Sequence, residues 1–451
     1  MKAKIIYLAV AAYAVLLCSC SDFLSEKPDR NIVIPSTLND FQALLDNSPI
    51  MNTGTGHLLG EISGDNLEVE KEAWSRLSSA YEKNSYIWAK DIFEGAASTD
   101  WNNPSMVILY SNLALEGADK VSRDPEPELW DNVRGSALFY RANAFLQLAQ
   151  LFCKEYNPQT ASQDPGIPLR LDSDITVKSN RYSVEQTYKR IVEDLSESIE
   201  LLPAQPIAKT RPSRAAACAL LARVYLLMGQ YDFAVASAEQ ALSDYSTLID
   251  YNTIDTTLAY PFSNRDEEIL FFSTTLTPSI LNPNIMDVAK DLYSSYSLND
   301  LRKYCYYTTQ NGRVKYKGAY SSTVAFFTGI STGEVWITLA EAYARTGDLD
   351  KAKTALQKLM RARYANGSLP QLPQQAGSLL YKILEERRKE LPFRGLRWPD
   401  LKRLNRESTF AKTVTRNWGS ETITLQPGSQ LYIFPFPDAV VKITGMPQNI
   451  R

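Results

Sequence analysis

Two stretches of this 451-residue chain gather the side chains that recognise polar rings. Residues 65–88 carry Asp65, Asn66, Trp74, Arg76, Tyr81, Tyr86 and Trp88. Residues 251–320 carry nine tyrosines, where uniform usage of the chain's 25 would give about four. Tyr and Trp offer a flat apolar face and a hydrogen-bonding tip, and lose little conformational entropy on binding. A pyranose ring is complementary, apolar on its face and polar at its rim, and Asp, Asn and Arg can bridge its hydroxyls. The mixture suits the holding of a saccharide. Any one of these aromatics could equally pack a loop onto a scaffold.

Catalysis is poorly served. The single histidine, His57, sits in Thr55-Gly56-His57, and no Gly-x-Ser-x-Gly surrounds any serine. One histidine also excludes a multi-histidine metal site. The five cysteines fit no zinc or redox spacing, and Cys218, in an Ala/Leu run, reads as a small buried hydrophobe. No metal, no cofactor and no enzymatic activity are expected. The run Glu385-Glu386-Arg387-Arg388 invites a paired-carboxylate reading. Adjacent helical residues do not face one another, however, whereas Glu386 and Glu390 share a face. Near Arg387, Lys389 and Arg397 they are expected to form an ion network holding helix to loop. A formal charge of −3 argues against nucleic acid as a partner.

The elements that must position these residues are mainly helical. Val107–Val121, Gly135–Phe152, Val184–Leu202, Ala215–Met228 and Leu379–Leu391 read as helices, with Ser183 as an N-cap and Pro203 as a stop. Short strands are expected at Ile269–Phe272, Arg313–Lys317 and Thr422–Leu425. Cys218, Leu221, Ala222, Tyr225, Gly229 and Ala234 recur as Trp336, Leu339, Ala340, Tyr343, Gly347 and Ala352. That spacing is the tetratricopeptide helix-pair pattern. Small alanines allow close approach, the tyrosines fill the adjoining groove, and the glycines turn between helices. Gly135–Phe152 with Val184–Leu202 reads as a third pair, split by a Pro/Gly-rich insertion. Such pairs stack into a superhelix because one alone cannot bury its apolar face.

At the start, Lys2 and Lys4 precede an apolar run, Ile5 to Leu17, too short to span a membrane. Leu17-Cys18-Ser19-Cys20 resembles the lipobox of bacterial lipoproteins. By that resemblance residues 1–19 are a signal peptide, and Cys20 becomes the acylated first residue and membrane anchor. No other apolar run is long enough to span a membrane, so a tethered body is expected.

A set of short motifs runs along the whole chain in order. They include Trp101 with Tyr110 and Asn112, Arg141-Ala142, Gly166-Ile-Pro168, Asp194-Leu195, Asp300-Leu301-Arg302 and Glu334-Val-Trp. The densest are Glu386-Arg-Arg-Lys-Glu-Leu391 and Arg397-Trp-Pro-Asp-Leu-Lys-Arg403, before Pro435-Phe-Pro437 and Pro447-Gln-Asn449. The ordered set resembles the SusD/RagB family of nutrient-binding outer membrane lipoproteins of Bacteroidetes. The resemblance implies a mainly α fold, a tetratricopeptide-like superhelix with a loop-rich, mostly helical second lobe and a few short strands. It implies a surface-facing, lipid-anchored subunit that binds an oligosaccharide, or alternatively a peptide, and serves a SusC-like TonB-dependent barrel. It divides the chain into a tether at 20–35, a helical region at 36–250, a Tyr-rich lobe at 251–330 and a C-terminal region at 331–451. With the family's use of loop aromatics, it places Asp65, Asn66, Trp74, Arg76, Tyr81, Tyr86 and Trp88 on one side of the pocket. Tyr293, Tyr296 and Tyr320 are placed on the other. A surface glycosidase and a tetratricopeptide assembly adaptor are the rival classes. The chain departs from the family pattern in Phe393-Arg394-Gly395, where Phe-Glu-Gly is usual. That reverses a charge beside Arg397. It is also short for the family, and loops are the expected place of loss.

Overall fold

A computed structural model describes residues 35–54, 57–263 and 266–451. The expected leader, Cys20 and the expected tether up to residue 34 lie outside them. Leu38–Arg451 forms one compact unit.

Its scaffold is a succession of antiparallel helices: α1 (Leu38–Leu45), α2 (Thr99–Ala118), α3 (Pro127–Phe152), α4 (Val184–Leu201), α5 (Arg214–Met228), α6 (Tyr231–Asp244), α7 (Thr332–Thr346), α8 (Leu349–Arg361), α9 (Ala376–Glu390) and α10 (Arg397–Leu404). From α2 to α8 each helix in that series packs on the next, and α9 returns onto α7. The starts and stops are chemical. Pro127 occupies the first turn of α3, where its missing N–H costs nothing. Ser183 closes a full capping box with Gln186 at the start of α4.

The repeat is visible in three dimensions. Gly229 (φ 74°) and Gly347 (φ 91°) end α5 and α7 in the left-handed region, where a Cβ is costly. Ala222 and Ala340, with Ala234 and Ala352 on the partner helices, are all fully packed. Tyr225 stacks on Phe233, and the Tyr343 hydroxyl reaches Glu239 on α6. The proposed third pair, α3 and α4, packs tightly across its insertion. There Arg141 makes a bidentate pair with Asp194 (2.8 Å twice) and donates to Asn112 Oδ1 (3.0 Å). Three motif residues thus tie α2, α3 and α4 together through a buried, fully hydrogen-bonded charge.

The loop lobe has its own core. It draws on residues 58–86 as well as 249–327, together with Phe393. Among the described residues the sheets are antiparallel two-stranded pairs only. The expected strands appear at Ile269–Phe271, Arg313–Tyr316 and Glu421–Leu425. Two pairs frame the site: β1 (Leu67–Val69) with β2 (Met286–Val288), and β3 (Val414–Trp418) with β4 (Glu421–Leu425).

Candidate functional site

A candidate site is a cavity of about 440 Å³ bounded by β1, Tyr86, the Ala289–Asp291 segment after β2, Lys412 and β3. Strand alternation aims Val414 and Arg416 inward and leaves Trp418 half-buried at the hairpin end.

An aromatic row forms one wall. The Trp418 indole N–H donates to the Val69 carbonyl (2.9 Å), and the Val69 N–H donates to the Tyr86 hydroxyl (2.9 Å). One residue of β1 therefore fixes both rings, which stack with centroids 6.1 Å apart at 27°. Trp74 also packs against Trp418, tilted, at 4.8 Å, its own N–H fixed by the Lys83 carbonyl. Arg416 lies between Tyr86 (4.1 Å) and Trp88 (4.8 Å) and donates to the carbonyls of Ile62, Gly64 and Tyr86. Burial lowers its pKa. The guanidinium acts as a cation–π wedge that locks the row.

The floor is ionic. Asp65 accepts from Arg397 (2.6 and 2.9 Å) and Lys412 (2.7 Å), and Asp291 from Arg388 (2.9 Å) and Lys412 (2.9 Å). Burial opposes ionisation of Asp65, but the charges of Arg397, Arg388 and Lys412 prevail and hold it well below the usual carboxylate range. Asp291, likewise resisted by burial and favoured by Arg388 and Lys412, falls to about 2. Both carboxylates are thus fixed acceptors and poor general acids. Glu68 and Glu70 on the rim, with Lys290, add further polar groups. The chemistry available is a pinned aromatic face beside oriented charges, which suits a polar ring.

The expected residues divide. Asp65 and Tyr86 line the cavity, Trp74 and Trp88 back its aromatic wall, and Asn66 braces Arg388 through its side-chain oxygen (3.3 Å). Arg76 is exposed at the end of the short helix Lys71–Ser75, and Tyr81 lies between the two cores. The second side requires correction: Tyr293, Tyr296 and Tyr320 do not line this cavity. Tyr296 and Tyr320 are 1% and 4% exposed. The Tyr296 hydroxyl meets Tyr307 (2.9 Å) and donates to the Lys389 carbonyl (2.8 Å), and Tyr320 meets Tyr251 (2.9 Å), which also meets Tyr306 (2.8 Å). The tyrosine surplus is therefore mostly a core whose hydroxyls satisfy one another. Tyr293 packs edge-on against Tyr307 beneath Lys303. The opposite wall comes instead from Ala289–Asp291 and β3. Arg416 and Trp418 were missed because their strand pairs late in the sequence with loops from its start. The inward-outward alternation of Val414-Thr-Arg-Asn-Trp418, before Gly419, was the available signal. A second cavity of about 360 Å³, between Thr257–Tyr260 and Lys315–Phe326, falls within the Tyr-rich stretch.

The carboxylates of α9 build structure. Glu390 accepts from Arg363 and Arg302, and Glu386 from Arg302, all completely buried. Of the three cations expected around them only Lys389 joins, on Glu386; Arg387 pairs instead with Asp400 and Arg397 with Asp65. The unusual Arg394 is buried over Tyr320 (4.5 Å) and donates to Ser331 Oγ (2.7 Å).

A family model described as starch-binding and associating with the outer membrane matches residues 22–226, and a SusD family model matches residues 284–441. A tetratricopeptide repeat model matches residues 215–243. No curated protein is similar. Among solved structures, a Bacteroides vulgatus protein named for sugar binding is 23% identical, with 93% of this chain and 99% of that one covered and a TM-score of 0.77. A SusD superfamily protein from Bacteroides thetaiotaomicron is 21% identical, covering 92% and 100%, with a TM-score of 0.75. A SusD-like carbohydrate-binding protein from Bacteroides vulgatus is 17% identical, covering 91% and 97%, at 0.69. At these identities the likeness is one of fold.

Proposed function

Because the chain belongs to the SusD/RagB family, we propose that it is a cell-surface, outer membrane nutrient-binding protein that takes up an oligosaccharide in the Trp418 cavity. In this reading it is anchored by lipid on Cys20 and delivers its cargo to a SusC-like TonB-dependent barrel. The observation that supports it most is the half-buried Trp418, its ring plane fixed by the Val69 carbonyl and backed by Trp74 and Tyr86. A preorganised ring loses little on binding and stacks on the apolar face of a sugar. Glu68 and Glu70 facing Lys290 and Lys412 would also suit a zwitterionic peptide, so the test includes both classes.

The soluble chain lacking Cys20 is screened against glycan and peptide arrays, and the best glycan is titrated calorimetrically. Trp418→Ala should weaken it at least tenfold with only a modest fall in melting temperature, since the ring is half-buried. Tyr296→Ala should lower the melting temperature further, since it empties a core position. Wild-type affinity in Trp418→Ala would refute the site, and selective capture of peptides would refute the glycan. Co-purification from membranes should recover a TonB-dependent barrel.

A further inference from the structure

We propose that the cargo of the Trp418 cavity is an unbranched oligosaccharide of several rings, laid along the free edge of β3 and held there by main-chain groups. The proposal rests on the reading that this cavity holds a saccharide.

The strand presents its edge to the cavity. All seven residues from Lys412 to Trp418 line it. A strand that shows a face contributes every second residue, whereas one that contributes all of them shows its edge. Val414 and Arg416 are buried, so one face belongs to the interior, and Thr413, Thr415 and Asn417 are exposed. The hairpin fixes which main-chain groups point outward. Trp418 pairs with Glu421 across the two-residue turn Gly419-Ser420, with Gly419 at φ 66°. Such a turn closes with a hydrogen bond between the residues on either side of it, so Trp418 directs its main-chain groups towards β4. Alternation directs those of Val414 and Arg416 the same way and turns those of Thr413, Thr415 and Asn417 outward. Among the described residues β3 pairs with β4 alone, and these outward N–H and C=O groups have no partner.

The neighbouring edge is treated differently. The Asn66 carbonyl accepts from the Ala289 N–H (2.9 Å), so Val69 faces away from β2, and there the Tyr86 hydroxyl and the Trp418 indole close it. Proteins usually cover or blunt a free edge in this way. The edge of β3 is left open, and it is held firmly. The Lys412 N–H donates to Asn405 Oδ1 (3.0 Å), Arg416 to three carbonyls and Trp418 to Val69. Binding therefore orders little of the strand.

Length and rim chemistry narrow what fits. Lys412 to Trp418 spans about 20 Å at roughly 3.3 Å per residue, more than a single ring can use. Drawn out over that length, a volume of about 440 Å³ admits one chain and no branch. An extended peptide would also pair with an edge, but its specificity needs pockets for alternate side chains. The rim carries Glu68, Glu70, Lys290 and Asp291 instead, all exposed. A hydroxyl both donates and accepts, so successive sugar rings can use N–H, C=O and these charges without keeping a register.

The soluble chain lacking Cys20 is titrated calorimetrically with two-unit and six-unit members of the malto, cello, xylo and manno series, with a branched hexasaccharide of the same sugar, and with alanine hexapeptide. In at least one series six units should bind at least tenfold more tightly than two. Amide exchange across residues 413–417 of the wild-type chain should slow when that hexasaccharide is bound, a readout needing no variant. Thr415→Pro removes one N–H at an edge position, where proline is tolerated. It should weaken the hexasaccharide roughly tenfold, and Thr415→Val, which keeps the amide, should weaken it several-fold less. The proposal falls if no series binds, if two units bind as tightly as six, or if the branched sugar or the peptide binds as tightly as the linear hexasaccharide. It falls equally if exchange at 413–417 is unchanged or if Thr415→Val costs as much as Thr415→Pro. Length-independent binding that Trp418→Ala abolishes would remove the main-chain ladder and leave the site standing. Binding that Trp418→Ala does not touch would remove the site itself.

Discussion

Arg223 on α5 and Glu334 on α7 form a one-to-one pair between two helical repeats, Nε to Oε1 at 2.6 Å and Nη2 to Oε2 at 2.8 Å. Their side chains are 7% and 3% exposed. Replacing one partner strands the other as a buried charge, a loss of about 3–5 kcal/mol, whereas replacing both with apolar residues is close to neutral. Arg223→Met and Glu334→Leu should therefore each destabilise by that amount, and the double variant should lie within about 2 kcal/mol of wild type. For a body of roughly 400 residues, 1 kcal/mol corresponds to roughly 1 °C in melting temperature. Each single variant should melt about 3–6 °C low and the double variant almost normally. The assay is calorimetric melting of all four proteins at one pH. A double variant that loses the sum of the two singles would refute the reasoning, because the costs would then come from lost packing at each site. Singles within 1 °C of wild type would show that water reaches the pair.

Three further tests use single positions. Burial raises Glu61 from 4.5 to about 7, against the partial relief of one N–H from Gly395. The folded chain thus keeps a proton that the unfolded chain surrenders, so stability falls as pH rises from about 4.5 to 7 and levels off above. Glu61→Gln removes that term: the wild-type-minus-variant melting difference should decline across this window, and a flat difference would refute the assignment. Gly347→Ala, at φ 91°, should cost about 1 kcal/mol. Gly377→Ala, in the first turn of α9 with open space for a Cβ, should gain about 0.5 kcal/mol. A denaturant midpoint that does not fall for Gly347→Ala, or does not rise for Gly377→Ala, would contradict the corresponding prediction.

The helical scaffold was legible because its signals are local. The Ser183 cap, the glycine turns and the 118-residue echo of Cys218–Ala234 in Trp336–Ala352 all act within a few residues of themselves. Part of the candidate cavity was legible for the same reason: Asp65 and Tyr86, with Trp74 and Trp88 behind them, lie close in sequence. What failed was the direction of side chains in irregular segments. A tyrosine at 296 or 320 has no periodicity to say which way it faces, and its environment is set by Lys389 and Tyr251, far along the chain. Lys412, Arg416 and Trp418 meet residues more than 300 positions away, and no spacing rule reaches that distance.

The tyrosine core also bears on how this lobe could change. Ladders of backbone bonds are short there, and the loops are fastened from within by phenol hydroxyls and by the guanidinium groups of Arg363 and Arg394. A backbone ladder constrains the length of every strand in it, because one inserted residue turns each later side chain over. Side-chain fasteners impose no such register. Turns such as Asn311-Gly312 or the segment around Thr323 can lengthen or shorten while Tyr251, Tyr306 and Tyr320 hold their bases in place. The lobe is built so that its rim can be reshaped without refolding the interior.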